Sequence, residues 1–118
     1  MLVKALPIHG LGGLEKHTLD LSSELAKKGH NVHILTFAHP EGIKIEKINP
    51  NLTIHYLKKE WRTSFGSNIF KEYYLKFKQL DQKIKFNLVH SQSTTVRFIL
   101  AYEELSLPLI TTFHGFWV

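Results

Sequence analysis

Apolar and polar positions along the chain alternate between two periods. Leu2 to Ile8 is apolar apart from Lys4 and Pro7 and runs into His9-Gly10-Leu11-Gly12-Gly13, which predicts a short strand entering a glycine-rich loop. Pro7 belongs near the end of that strand, because it has no N–H to give to a ladder. From Leu14 the period becomes helical: Leu14, Thr18, Leu21 and Leu25 fall on one face beside Ala26, while Glu15, Lys16, Asp20, Glu24 and Lys27 point elsewhere. Gly29 closes this amphipathic helix as a left-handed cap, and the lysines before it suit the negative end of the helix dipole. The run from His30 to Phe37 is a second strand.

Ala38 to Asn51, with Pro40, Gly42 and Pro50, is a connection with room for a short edge strand over Gly42 to Ile48. Leu52 to Leu57 alternates as a third strand. After a loop around Arg62 to Ser67, the stretch Ile69 to Ile84 sets Ile69, Tyr73, Leu75 or Lys76, Phe77, Leu80 and Ile84 at helical spacing. Phe86 to Ser91 predicts a fourth strand, Thr94 to Leu105 a third helix, and Leu109 to Phe113 a fifth strand, opened by Pro108 and closed by His114-Gly115. Strands alternating with helices imply right-handed crossovers. The expected architecture is therefore α/β: a single doubly wound, Rossmann-like parallel sheet in the order 3-2-1-4-5, with helices on both faces.

A length of 118 residues suits one domain, spanning residues 1–118, and the 43% hydrophobic, 21% charged composition is that of a globular chain. The net charge of +5 is scattered through helix-like segments with no dense basic run, so no nucleic-acid partner is expected. The absence of cysteine removes disulfides and thiolate metal sites and fits the cytoplasm. No run of about eighteen apolar residues occurs, which excludes a membrane span but leaves membrane-surface association open.

In a doubly wound sheet, ligands gather at the carboxyl ends of the strands, where strand order reverses. Three features converge there: the loop Gly10-Leu11-Gly12-Gly13, His90-Ser91-Gln92-Ser93 after the fourth strand, and Thr112-Phe113-His114-Gly115 after the fifth. The glycines either turn a strand tightly into a helix or let backbone N–H groups approach an anion. Glu15 replaces the third glycine of the dinucleotide fingerprint, and no acidic residue ends the second strand, where Phe37-Ala38-His39 stands, so a nicotinamide cofactor is not expected. No Gly-Lys-Ser/Thr follows the glycines, so there is no P-loop. Glu15 is either a carboxylate complementing the helix dipole or a hydroxyl-binding group. His90 and His114 are either polar strand-end residues or members of a site. The other histidines lack the carboxylate company of a metal site, and His33 and His55 read as sheet residues.

Gly12-Gly13-Leu14-Glu15-Lys16-His17 and the run from Leu21 to Thr36 resemble the amino-terminal opening of family 4 retaining glycosyltransferases. Asn87 to Ser93 and Pro108 to Gly115 resemble that family's fourth and fifth strand ends, so the likeness spans nearly the whole chain. The resemblance implies a GT-B enzyme, in which an amino-terminal Rossmann-like domain holds the acceptor and a carboxyl-terminal one a nucleotide sugar such as a UDP- or GDP-hexose. It implies no cofactor beyond that donor and no bound metal. It places Gly12 and Gly13 against the donor diphosphate or the acceptor, His114 catalytically beside the donor sugar, and His90 on the acceptor side, with Glu15 and Gly115 also binding substrate. Gln92 departs from the pattern, standing where a second histidine is often found. With Val118 as its last residue, the chain is expected to be an acceptor-side half, inactive alone and lacking the donor-binding domain. Its fifth strand would be a sheet edge, joined by a separate carboxyl-terminal half or by a second copy. The alternative reading is a non-catalytic binding or regulatory module on the same fold.

Overall fold

The computed structural model describes residues 1–4, 6–9, 13–59 and 67–113, without the side chains of residues 67 and 68. A 3-10 turn at Pro7–His9 precedes helix α1 (Gly13–Lys27), strand β1 (Val32–Thr36), strands β2 (Ile45–Asn49) and β3 (Leu52–Tyr56), helix α2 (Ser67–Ile84), strand β4 (Val89–Gln92), the short helix α3 (Arg97–Leu100) and strand β5 (Leu109–Thr112).

The strands form a three-stranded sheet in the order β1-β3-β2 and a two-stranded sheet β4-β5, which corrects the expected single sheet in the order 3-2-1-4-5. The difference lies in the amino-terminal segment, expected as the central strand. Leu2 makes only isolated parallel bridges, to Leu35 on one side and Ser91 on the other. Its backbone alternates partners as a central strand would: Leu2 N–H donates to the His90 carbonyl at 2.8 Å and Val3 N–H to the Leu35 carbonyl at 3.2 Å. The segment is too short to build a ladder, because Pro7 supplies no N–H and the chain is already turning at Pro7–His9. The first sheet is also mixed. β1 pairs parallel with β3, whereas β2 pairs antiparallel with β3, with a register shift between Lys47 and Asn49. β2 falls largely within the stretch 42–48 that admitted an edge strand.

Helices cover both faces. One core joins Val3, Leu6, Val32, Ile34, Leu52, Ile54 and Tyr56 to Ala26 of α1. The other joins Leu2, Leu35, Phe37 and Leu57 to Ile69, Tyr73, Phe77 and Leu80 of α2 and to Phe98 and Ile99 of α3. Neighbours such as Ile34 and Leu35 enter opposite cores, as the period of a strand dictates. Tyr73 is fully buried, and its hydroxyl donates to the Leu35 carbonyl at 2.6 Å, with the Val3 carbonyl at 3.3 Å, fastening α2 to the amino-terminal segment and β1 together.

α1 buries Thr18 and Ala26 of the face expected of it, with Ser22 between them in place of the leucines. Its buried residues are Thr18, Ser22 and Ala26, one turn apart, with Leu19 and Leu25 packed partly at the side. Small side chains on the inward line let the helix lie close to the sheet, and the Thr18 hydroxyl is satisfied by the Leu14 carbonyl at 2.9 Å. Gly29 holds φ +96 after the helix, the left-handed cap expected of it. α2 matches its periodicity, except that Leu75 faces solvent at 53% exposure. α3 is shorter than the stretch 94–105. It opens on i to i+3 bonds from Arg97, Phe98 and Ile99 and gives way after Leu100 to turns leading to Pro108.

Candidate functional site

The amino-terminal segment and strands β1, β3, β4 and β5 run parallel, so their carboxyl ends open on one end of the domain. The exits of the amino-terminal segment and of β4 are neighbours there, because Leu2 bridges to Ser91.

At the β4 and β5 exits the register sets Gln92 opposite Thr112 and His90 opposite Ile110. Positions two apart share a face, so His90, Gln92 and Thr112 stand together. His90 Nε2 lies 2.7 Å from Thr112 Oγ1 and 3.4 Å from Gln92 Nε2. An amide nitrogen only donates, and with Gln92 so oriented the imidazole Nε2 is an acceptor and the proton sits on Nδ1. The Gln92 amide also donates to Met1 Sδ at 3.0 Å. Gln92 is fully buried and His90 half-buried, so the imidazole presents one side to solvent over a fixed base.

The turn after β4 is wired from within. Ser91 Oγ accepts the Val96 N–H at 2.9 Å, Thr95 Oγ1 donates to the Gln92 carbonyl at 2.8 Å, and Ser93 N–H reaches the Thr112 carbonyl at 2.7 Å. Ser93 holds φ +57, a left-handed conformation few non-glycine residues adopt. Two side-chain hydroxyls and one backbone bond thus fix the turn beside His90.

Gly13 opens α1, and Glu15 lies in its first turn. Among the described residues, a Cβ built on Gly13 would meet no atom within 4 Å. No described residue therefore packs against this position at the positive end of the helix. The Glu15 carboxylate makes no hydrogen bond or ion pair among the described residues, and no such bond joins it to His90. Gly12, His114 and Gly115 lie outside the described residues, as do Gly10 and Leu11.

His9 is a residue the sequence reading passed over. Its Nδ1 accepts the Leu6 N–H at 2.9 Å and its Nε2 donates to the Ala38 carbonyl at 2.8 Å. The ring clamps the turn ahead of the glycine run to the end of β1. Only the position of His9 beside the glycines hinted at this, since both bonds go to backbone. Lys4, at the exit of the amino-terminal segment, has its ammonium held below the ordinary lysine range, by burial first and then by the Arg97 charge. The Arg97 guanidinium thus stands near enough to Lys4 to disfavour its charge. Among the described residues no three His, Asp or Glu side chains gather as a metal site requires.

In α/β domains, ligand sites form at the carboxyl ends of parallel strands, and four of the five described strands here are parallel to their neighbours at this end. The chain belongs to Glycosyltransferase Family 4, whose family model matches residues 11–118. No curated protein matches the sequence. No described helix is long and apolar enough to cross a membrane.

Proposed function

We propose that this chain forms the acceptor side of a retaining, sugar-nucleotide-dependent glycosyltransferase of GT-B architecture, acting in the cytoplasm. The observation that carries the reading is the family match over residues 11–118, reinforced by the site at the exits of β4 and β5. In this reading a UDP- or GDP-hexose is gripped by a carboxyl-terminal domain that closes over the strand ends described above. The backbone at Gly12 and Gly13 meets the diphosphate or the acceptor, where helix-dipole charge and free amides offset the charge that develops on the leaving group. His90 and Glu15 hold acceptor hydroxyls, and Gly115 lines the same cleft. His114 contacts the donor sugar near the reacting carbon.

The exposed flank of β5 supports the proposed partner. Among the described residues β5 is paired on one side only, and Leu109, Ile110 and Phe113 along it are exposed by 41%, 50% and 63%. A carboxyl-terminal half or a second copy is the occupant this reading requires. Residues 1–118 on their own are expected to transfer no sugar. The test is calorimetry with UDP-glucose and GDP-mannose, on residues 1–118 alone and together with a carboxyl-terminal donor domain. Binding and transfer only in the combination support the reading, whereas a folded combination that neither binds nor transfers overturns it.

A further inference from the structure

β4 carries His90 and Gln92 two residues apart on one face, with Thr112 of β5 opposite Gln92 in the register. Thr112 Oγ1 lies 2.7 Å from His90 Nε2, but this contact alone leaves the place of the imidazole proton open, because a hydroxyl turns to give or to take. The Gln92 amide has no such freedom once its orientation is fixed, and Met1 fixes it. The Met1 thioether sulfur lies 3.0 Å from one atom of that amide. It carries no proton and can only accept, so the amide atom facing it is the nitrogen. The same nitrogen lies 3.4 Å from His90 Nε2, so the two N–H bonds of one amide have Met1 Sδ and His90 Nε2 as acceptors. Gln92 is 0% exposed, and no solvent competes for those protons.

We propose that Gln92 is a positioning residue that makes His90 a hydrogen-bond donor, and not a base, toward the acceptor substrate. The identity of that ligand rests on the transferase reading above; the part played by Gln92 does not. A proton on His90 Nε2 would point at the Gln92 N–H, and a buried N–H facing another donor is costly, so the proton goes to Nδ1. Thr112 then donates its hydroxyl to Nε2 and holds the ring, while Gln92 decides which nitrogen is bare. Free neutral histidine favours the opposite tautomer, with its proton on Nε2, so the amide imposes a state that the imidazole does not choose by itself. An Nδ1–H edge gives a hydrogen bond and takes no proton. The atom it selects is one with a lone pair, such as a hydroxyl or ring oxygen of a sugar. A histidine in place of Gln92, where the family pattern often has one, could give or take at that point and would leave the His90 proton undecided.

The experiment is long-range proton–nitrogen correlation NMR on the isotope-labelled full chain at about pH 8, where an ordinary histidine is neutral. The spectrum shows for each imidazole which nitrogen bears the proton. The chain has eight histidines, so the His90 signals are assigned by their loss in His90→Gln. In the wild type Nδ1–H should outweigh Nε2–H by about tenfold, the worth of one ordinary hydrogen bond. Thr112→Val should keep that ratio, because the Gln92 amide remains. Gln92→Met replaces the amide with a side chain of similar length that has no N–H, and should lower the ratio about tenfold, toward the Nε2–H form. Gln92→Glu sets a carboxylate, which only accepts, at the same point and should place a proton on Nε2. A protonated Nε2 in the wild type, an unchanged ratio in Gln92→Met, or a shift in Thr112→Val as large as in Gln92→Met would each overturn the proposal. The wild-type spectrum decides the tautomer even where a variant fails to fold. It needs neither donor nor acceptor, so a failure of sugar transfer leaves the assignment of Gln92 intact, and a protonated Nε2 overturns it even in an active enzyme.

Discussion

His9 and Ala38 meet across 29 residues of chain, the imidazole Nε2 lying 2.8 Å from the carbonyl oxygen. Because the opposite ring nitrogen accepts the Leu6 N–H, the ring is fixed as the neutral Nε2–H form. One half-buried side chain therefore ties the 3-10 turn to the end of β1. Replacing His9 by Ala strands the Leu6 N–H and the Ala38 carbonyl and should cost about 1–3 kcal/mol, read as a lowered urea midpoint. In the presence of a carboxyl-terminal donor domain it should also weaken nucleotide-sugar binding beyond what the stability loss explains. Unchanged stability would show that water replaces both bonds.

The pairing of His90 with Thr112 makes a separate prediction. Thr112→Val keeps the shape and β preference of the strand but removes the hydroxyl 2.7 Å from His90 Nε2. Stability should fall by no more than about 1.5 kcal/mol, since His90 is half-buried and Gln92 remains beside it. Acceptor binding in an assembled enzyme should fall by about tenfold, because the imidazole loses the partner that orients it. His90→Ala should fall further with a similar stability cost. Wild-type acceptor binding in both variants would remove His90 from the site.

Much of this arrangement was legible from the chain, and the gaps have physical causes. The α2 face was readable because Ile69, Tyr73, Phe77 and Leu80 repeat at helical spacing and are large enough to dictate burial. The inward face of α1 was legible only in part: Thr18 and Ala26 lie on the face expected, but hydrophobicity weighs Leu21 above Ser22, whereas close approach to a sheet rewards small residues. The single-sheet order failed at the amino-terminal segment, where composition says strand but Pro7 leaves too few residues to pair. The site itself divides in the same way. His90 stood out by its place at a strand end, while its partner Thr112 becomes visible only once the β4–β5 register is known. His9 was invisible in kind, since a side chain that binds only backbone leaves no mark in residue spacing.

His33 and His55 give the protein a pH dependence. They sit on adjacent strands under α2, with His33 Nδ1 2.9 Å from His55 Nε2, and their outer nitrogens, His33 Nε2 and His55 Nδ1, have no partner among the described residues. Burial, then the His33 and Lys76 charges, push His55 down to about 4. Burial, then the amino-terminal amine and Lys47, hold His33 below the ordinary histidine range. In the unfolded chain both titrate near pH 6.5. Between about pH 6.5 and 4 the unfolded state therefore binds more protons, and stability falls as pH drops through that window. His55 should contribute a loss of about 3 kcal/mol, and the buried amino-terminal amine, pushed down to about 5, adds a loss that begins near pH 8. Urea unfolding from pH 7.5 to 4.5 should show this slope, and His55→Gln should make it shallower, leaving the part due to His33 and the amino-terminal amine. A wild-type stability independent of pH across that range would refute the coupling.

Lys85 ends α2 at φ +60, where its amide N–H reaches the Asp81 carbonyl at 2.7 Å and the next amide, of Phe86, reaches the Asp81 carboxylate at 3.1 Å. This is the left-handed closing residue usually given to glycine, as Gly29 is after α1. A lysine there bears the clash between its Cβ and the following carbonyl, a cost of about 1 kcal/mol that glycine avoids. The Lys85 side chain is exposed, so its removal takes away no packing. Lys85→Gly should therefore stabilise the protein by about 0.5–1 kcal/mol, raising the urea midpoint with the slope of the transition unchanged. Lys85→Ala keeps the Cβ and should not. If both substitutions moved the midpoint alike, the gain would come from removing charge next to Lys83 and not from backbone conformation.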